Sequence, residues 1–304
     1  MRVCVTGGSG MLGRAVAAQL QRAEHMVVWP MSRTALDCRD ANAVYAWIAT
    51  ERPDAVVHLA ATVGGIAFNA AHPATLLHDN LAMALAVCAA SVSYPIRLIV
   101  VSSACAYPAD APVPTPEGAL WDGRPEPSNA AYGIAKRVLV ELVHAYRQEH
   151  GLDGVALIPT NLYGPGTHGD RNRWHVIPAM IDRFLRARRD GAPTATCWGT
   201  GTPTRDFLYV DDCARAIVAA ATAPDAPEGP INLGSGRETS IREIAETVAR
   251  LVGYEGAIEW DAHKPDGQRR RALDSRRAAD WLGWRATTSL EDGLRATIAA
   301  WPTQ

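Results

Sequence analysis

A run of mostly β-branched residues, Val3-Cys4-Val5-Thr6, leads without a break into Gly7-Gly8-Ser9-Gly10-Met11-Leu12-Gly13. Beyond it, Leu12, Val16 and Leu20 recur at helical spacing through residues 11–23. This order of strand, glycine loop and helix constrains the chain more than any other feature. Glycines at 7, 10 and 13 permit a tight turn and a close backbone approach, so a pyrophosphate can rest on free N–H groups at a helix N-terminus. A glycine turn alone is a weak signal. Directly after an N-terminal strand it specifies a dinucleotide site built from Gly7, Ser9, Gly10, Met11, Leu12 and Gly13.

The first half of the chain repeats the alternation. Strands are expected at 26–29, 55–59, 98–102 and 155–159, and helices at 41–51, 73–93 and 131–150. The second half is more broken. Residues 164–175 are rich in Gly, Asn and Arg and read as a functional loop, 176–189 as a helix, and 207–210 and 230–233 as short strands. Residues 241–251 read as an amphipathic helix capped by Thr239 or Ser240. The expected fold is α/β, a Rossmann-type doubly wound parallel sheet with a smaller C-terminal α/β substrate lobe. Residues 1–165, with 199–235 returning to them, would form the dinucleotide-binding domain, and 166–198 with 236–304 the lobe.

Composition excludes several classes of function. Apolar residues make up 48% and charged residues 20% of the 304, and the net charge is −2, so neither a nucleic-acid nor a membrane surface is indicated. The first strand leaves no room for a signal peptide, and the most apolar stretch, 81–90, is shorter than a membrane span requires. The six cysteines form no CxxC pair and keep no zinc-finger spacing with histidine, so no metal is expected. Scattered thiols indicate a reduced, cytoplasmic chain. Five of them read as small core residues, with Cys105 the exception.

The end of the second strand reports on the cofactor. An NAD enzyme usually carries Asp or Glu there to grip the ribose 2′-hydroxyl. This chain has Trp29-Pro30-Met31-Ser32-Arg33 instead. Ser32 and Arg33 can hold a 2′-phosphate, which favours NADP(H), although Arg33 is also readable as a solvated side chain.

Tyr132 and Lys136 stand four residues apart on one helix face. A nearby ammonium is expected to lower the phenol's pKa toward neutrality and make it a usable acid at a carbonyl oxygen. The pair follows a strand that runs into Ser102-Ser103-Ala104-Cys105-Ala106-Tyr107, where a serine can donate a second hydrogen bond to that oxygen. Glycine loop, serine and Tyr-x-x-x-Lys in this order form a strong signal for an oxidoreductase.

At these residues the chain resembles the extended short-chain dehydrogenase/reductase superfamily. Its stretches 58–66, 102–108, 126–129, 159–165, 175–178 and 264–267 resemble the GDP-L-fucose synthase branch, over nearly the whole length. The resemblance implies an NADPH-dependent enzyme that inverts C3 and C5 of a nucleotide-linked 4-keto-6-deoxymannose and then reduces C4. It implies Cys105 and His175 for the proton transfers, Tyr132 and Lys136 for the reduction, and Ser103 as second donor to O4. It also implies nucleoside-diphosphate-sugar contacts at Arg183, Trp198, Arg205 and Lys264, and a homodimer formed through the two long helices.

The chain departs from the branch at Thr62, where Lys is usual, and at Ser9, where Arg can stand near the 2′-phosphate. Both departures leave room for a different sugar or nucleotide. A relative that only reduces or only epimerises another nucleoside-diphosphate keto-sugar therefore stays open. The run Arg269-Arg270-Arg271 can reach phosphate, but it reads as a surface charge run for at least two of its members.

Overall fold

The first strand, β1 (Arg2–Thr6), is buried on both sides and pairs in parallel with β2 (Met26–Val28) on one edge and β3 (Ala55–His58) on the other. The computed structural model describes residues 1–30, 32–166, 171, 174–264 and 266–302, apart from the side chains of Ile66 and Ala67. Met31, most of the polar loop before His175 and Pro265 of the Lys-Pro-Asp-Gly run therefore lie outside the described residues. Between β1 and β3 come helices α1 (Met11–Arg22) and α2 (Ala41–Glu51). Asp40 caps α2, its carboxylate accepting from the N–H groups of Asn42 at 2.9 Å and Ala43 at 3.1 Å.

The chain continues through α3 (Ile66–Ala71), α4 (Pro73–Ser91), β4 (Arg97–Val101), a 3₁₀ turn (Ala104–Ala106), α5 (Ala130–His150) and β5 (Asp153–Pro159). After β6 (Asn161–Tyr163), α6 (Val176–Arg189), β7 (Thr194–Trp198) and β8 (Thr204–Tyr209) come α7 (Val210–Thr222) and β9 (Ile231–Leu233). The last part holds β10 (Glu238–Ser240), α8 (Ile241–Val252), β11 (Ala257–Asp261), β12 (Arg270–Arg271), α9 (Arg276–Leu282) and α10 (Leu290–Ala299).

The large sheet is parallel throughout, in the order β2-β1-β3-β4-β5-β9. Its strands alternate core residues between two faces, as the period of an extended chain requires. Cys4, Val56, Leu98, Val100 and Ile158 pack against Ile48, Val87 and Leu139 of α2, α4 and α5. Val3, Val5, Val57, Ile99 and Leu157 pack against Val16, Leu20 and Ile217 of α1 and α7. Helices on both faces make this the expected doubly wound Rossmann-type sheet.

A smaller sheet joins β10, β8 and β12, with β6 alongside β8, and β7 pairs with β11. A separate core of Ile177, Ile181, Phe184, Phe207, Ile244 and Val248 lies beneath them. Ser240, one of the two expected caps, accepts from the Glu243 N–H at 3.0 Å at the start of α8.

Two expectations change. The apolar run after Asp206 ends as a strand at Tyr209, and Val210 opens α7, where Asp211 and Asp212 favour a helix N-terminus. Also, α4 spans 19 residues and is long and apolar enough to cross a membrane by length and composition, although the apolar stretch 81–90 alone was too short. Ten of its residues, including Met83, Val87 and Cys88, are buried in the protein, so its apolarity is that of a core helix.

Candidate active site

Strand order reverses between β1 and β3, and the carboxyl ends of these strands frame a crevice. The glycine loop leaves β1 there. Gly7 has φ +68°, and a β-carbon on it would stand 2.8 Å from the Ala60 nitrogen. A β-carbon on Gly13 would stand 2.3 Å from the Gly7 carbonyl oxygen, so only glycine lets α1 pack this close to the loop. Gly10 occupies the helix N-cap and brings no capping side chain. The Thr6 hydroxyl accepts from the N–H groups of Leu59 and Ala60, both at 3.2 Å, and lies 2.9 Å from His58 Nδ1. With two donors aimed at its oxygen, the hydroxyl donates to Nδ1. Burial, with Lys136 nearby, lowers the His58 pKa to about 3 and keeps the ring neutral. This cradle fits a dinucleotide pyrophosphate.

At the far end of the cradle, the Arg33 side chain is 59% exposed and stands 3.7 Å from Asp37 and 3.8 Å from Asp79. Arg39 holds both carboxylates more closely, at 2.6 and 3.2 Å. Thr62, at the position of the usual lysine, donates to the same Asp79 at 3.2 Å. The Ser32 hydroxyl shares a hydrogen bond of 2.6 Å with Thr34 and accepts from the Ala35 N–H. Arg33 therefore keeps donor capacity for a 2′-phosphate, while Ser32 shapes the turn.

The catalytic candidates gather at the end of β4. Tyr132 and Lys136, both buried, face the strand from α5. The Lys136 ammonium donates to the Val101 carbonyl at 2.8 Å and lies 5.9 Å from the Tyr132 ring centroid. Burial lowers its pKa to about 8. The Ser103 side chain acts on the Tyr132 phenol, favouring its ionised form, and its hydroxyl accepts from the Cys105 N–H at 3.2 Å. One expectation is corrected here. Burial, with a smaller push from Cys105, raises the Tyr132 pKa, because a phenolate taken out of water is costly and Ser103 offsets only part of that cost. The phenol is a protonated donor at neutral pH.

Cys105 is half-buried, whereas the other five cysteines are buried, as their reading as core residues requires. Its sulfur accepts from Arg271 Nη1 at 3.2 Å. His175 occupies the N-cap of α6, but its side chain makes no cap bond. The ring is exposed to solvent yet hemmed in by protein, and this desolvation lowers its pKa. Among the described residues it makes no hydrogen bond to Cys105 or Tyr132.

The remaining candidates belong to the smaller sheets. Arg183 of α6 donates to the Thr196 carbonyl of β7. Trp198, at the end of β7, is 57% exposed, and the Lys264 ammonium lies 5.4 Å from its ring centroid. Asp266 ties the two segments by accepting from the Thr200 N–H at 2.7 Å and hydroxyl at 2.8 Å. Arg205 donates to the Thr204 carbonyl at 2.8 Å. Burial, then repulsion from Arg271, lowers its pKa to about 10.

The model of the NAD dependent epimerase/dehydratase family matches residues 3–234. GDP-L-fucose synthase 1 of Arabidopsis thaliana is 39% identical over 297 residues, which cover 97% of this chain and 91% of that protein. The chain belongs to this family, in its GDP-L-fucose synthase branch. Among solved structures, a GDP-L-fucose synthetase from Naegleria fowleri bound to NADP superposes with a TM-score of 0.88 at 27% identity, covering 98% of this chain and 92% of that one. A GDP-6-OMe-4-keto-L-xylo-heptose reductase from C. jejuni gives 0.91 at 25% identity, covering 98% and 96%.

For a member of this family, the fold brings Ser103, Cys105, Tyr132 and Lys136 into one cluster that Arg205 approaches from β8. Arg183, Trp198 and Lys264 lie on neighbouring segments, and His175 sits at the head of α6. Tyr107 and Asn161 are structural, bonding Asn232 at 2.7 Å and the Asp206 carbonyl at 2.9 Å. The residue missed from the sequence is Arg271. Arg270 beside it pairs with Glu238 at 2.5 Å as a surface residue would, and nothing in a run of three arginines marks the one that turns inward.

Proposed function

We propose that the chain is an NADPH-dependent epimerase/reductase that converts GDP-4-keto-6-deoxy-D-mannose to GDP-L-fucose. The observation that carries this reading is the single cluster in which the Ser103–Tyr132–Lys136 group shares its space with the half-buried thiol of Cys105. Reduction alone does not call for that thiol.

NADPH, when bound, supplies the hydride that arrives at C4. Gly7, Ser9, Gly10, Met11, Leu12 and Gly13 would hold its pyrophosphate and Arg33 its 2′-phosphate. Tyr132, protonated because its phenolate is costly in a buried site, gives its proton to the C4 oxygen. Ser103 donates a second hydrogen bond to that oxygen, and the Lys136 ammonium steadies the phenolate left behind. Protons beside the C4 carbonyl are acidic because the resulting anion spreads onto oxygen. Cys105 and His175 remove and return them at C3 and C5, and the neutral ring of His175 suits it to proton exchange.

Arg205, Arg183 and Lys264 supply cations for the diphosphate, and Trp198 offers a flat apolar face. Residues 166–198 and 236–304, which carry Arg183, Trp198 and Lys264, would form the lobe that closes on the nucleotide sugar, with Arg205 reaching it from β8. Packing of α4 along α5, with Leu85 exposed on α4, supports a homodimer through this pair. Six free cysteines support the cytoplasm as its compartment.

The test is NADPH oxidation with GDP-4-keto-6-deoxy-D-mannose, with the product identified by NMR. Formation of GDP-L-fucose is expected. A product reduced at C4 with C3 and C5 uninverted would leave only the reductase reading.

A further inference from the structure

Arg271 is drawn toward the cluster from two sides. Its Nη1 donates to Cys105 Sγ at 3.2 Å and its Nε to Gln268 Oε1 at 2.8 Å. Gln268 in turn donates to the Ala109 carbonyl at 2.8 Å, in the segment that follows the 3₁₀ turn bearing the thiol. Strand and loop thus fix the guanidinium together. In the parallel pairing of β12 with β8, Arg271 lies opposite Arg205. Neither of these two guanidinia has a carboxylate ion-pair partner among the described residues, in contrast to Arg270.

Two partly desolvated cations side by side repel each other, and an anion between them relieves the repulsion. The ionisable side chain that Arg271 touches is Cys105. The other charged and titratable groups acting here are Arg205 on β8 and Tyr132 on α5, with Glu126 and Asp266 acting on Arg205 from further away. Tyr132 stays neutral, so the guanidinia set the local charge.

We propose that Arg271 is a positioning residue for epimerisation: its hydrogen bond fixes the Cys105 sulfur in place and so orients the base that takes the substrate's proton. This rests on the function proposed above and deepens it. In that step the substrate C–H bond breaks and an S–H bond forms. The electron pair moves onto the carbonyl oxygen as an enolate, and the guanidinium keeps its own protons. Arg271 acts through Cys105.

Because the other five cysteines are buried, iodoacetamide applied to the folded, substrate-free chain reports on Cys105, with Cys105→Ser as the control. Arg271→Gln is expected to slow alkylation at pH 7 by about fivefold, because the sulfur loses the cation that holds and activates it. Arg271→Lys, which keeps the charge without the fork, should recover part of the rate. A wild-type alkylation profile in Arg271→Gln would overturn the proposal. Should that variant melt early, Gln268→Ala loosens the guanidinium without removing its charge; slowed alkylation supports the proposal and an unmoved rate overturns it. A wild-type enzyme that exchanges no C–H protons of the keto-sugar would instead sink the functional reading, whatever the alkylation profile.

Discussion

Gly133 lies so close under the backbone of Cys105 that a β-carbon on it would stand 2.2 Å from the Cys105 carbonyl oxygen. Around this contact, Ser102 donates to the Lys136 carbonyl at 2.8 Å and Arg137 donates from Nε to the Ala106 carbonyl at 2.8 Å. Helix α5 and the 3₁₀ turn are thereby locked into one block. Tyr132, Lys136 and the Cys105 thiol ride on it together.

Gly133→Ala should therefore harm both halves of the chemistry. The added methyl meets backbone, which cannot swing aside as a flexible side chain would. Overpacking of this kind costs about 1–3 kcal/mol. Denaturant unfolding should register that loss, and NADPH oxidation and solvent-proton exchange should fall in parallel.

Arg33 is the side chain proposed to hold the coenzyme's 2′-phosphate. Its loose ion pairs, at 3.7 and 3.8 Å, leave the guanidinium able to turn to a 2′-phosphate. Loss of one such charge-assisted bond costs about 1.5–3 kcal/mol. Arg33→Ala should raise KM for NADPH by about tenfold or more and leave KM for NADH nearly unchanged. Steady-state kinetics with both coenzymes would decide it.

Lys136 gives the activity an alkaline limit. Burial lowers its pKa from 10.5 to about 8, so the ammonium is lost as pH rises through about 8. kcat/KM for reduction should fall above that pH. The stability effect has the opposite sign. Between about 8 and 10.5 the unfolded chain binds more protons at this lysine than the folded one does, so its contribution to stability rises with pH in that window. A pH series of activity and of unfolding would show the two trends diverge.

Much of this was legible in the sequence, for physical reasons. The alternation of buried strands with amphipathic helices located β1 to β5, and the spacing of Tyr132 and Lys136 put both on one face of α5. The ionisation of Tyr132 was not legible. Sequence spacing brings Lys136 close, but only the fold shows that both groups are buried and that desolvation prevails. Strand β12 was hidden because two adjacent arginines carry no periodicity, and their opposite fates are set by pairing with β8. The start of α7 was blurred because the apolar run 207–210 crosses the strand–helix boundary.

The most direct measurement is turnover of the keto-sugar with NADPH in D2O, read by NMR at C3 and C5 and by absorbance of the coenzyme. Wild type should place deuterium at both carbons and consume one NADPH per product. Tyr132→Phe should keep the exchange while NADPH oxidation falls by about 100-fold or more, the usual weight of a general acid. Cys105→Ser should lose the exchange. NADPH oxidation at the wild-type rate in Tyr132→Phe, or full deuterium exchange in Cys105→Ser, would contradict the division of labour drawn here.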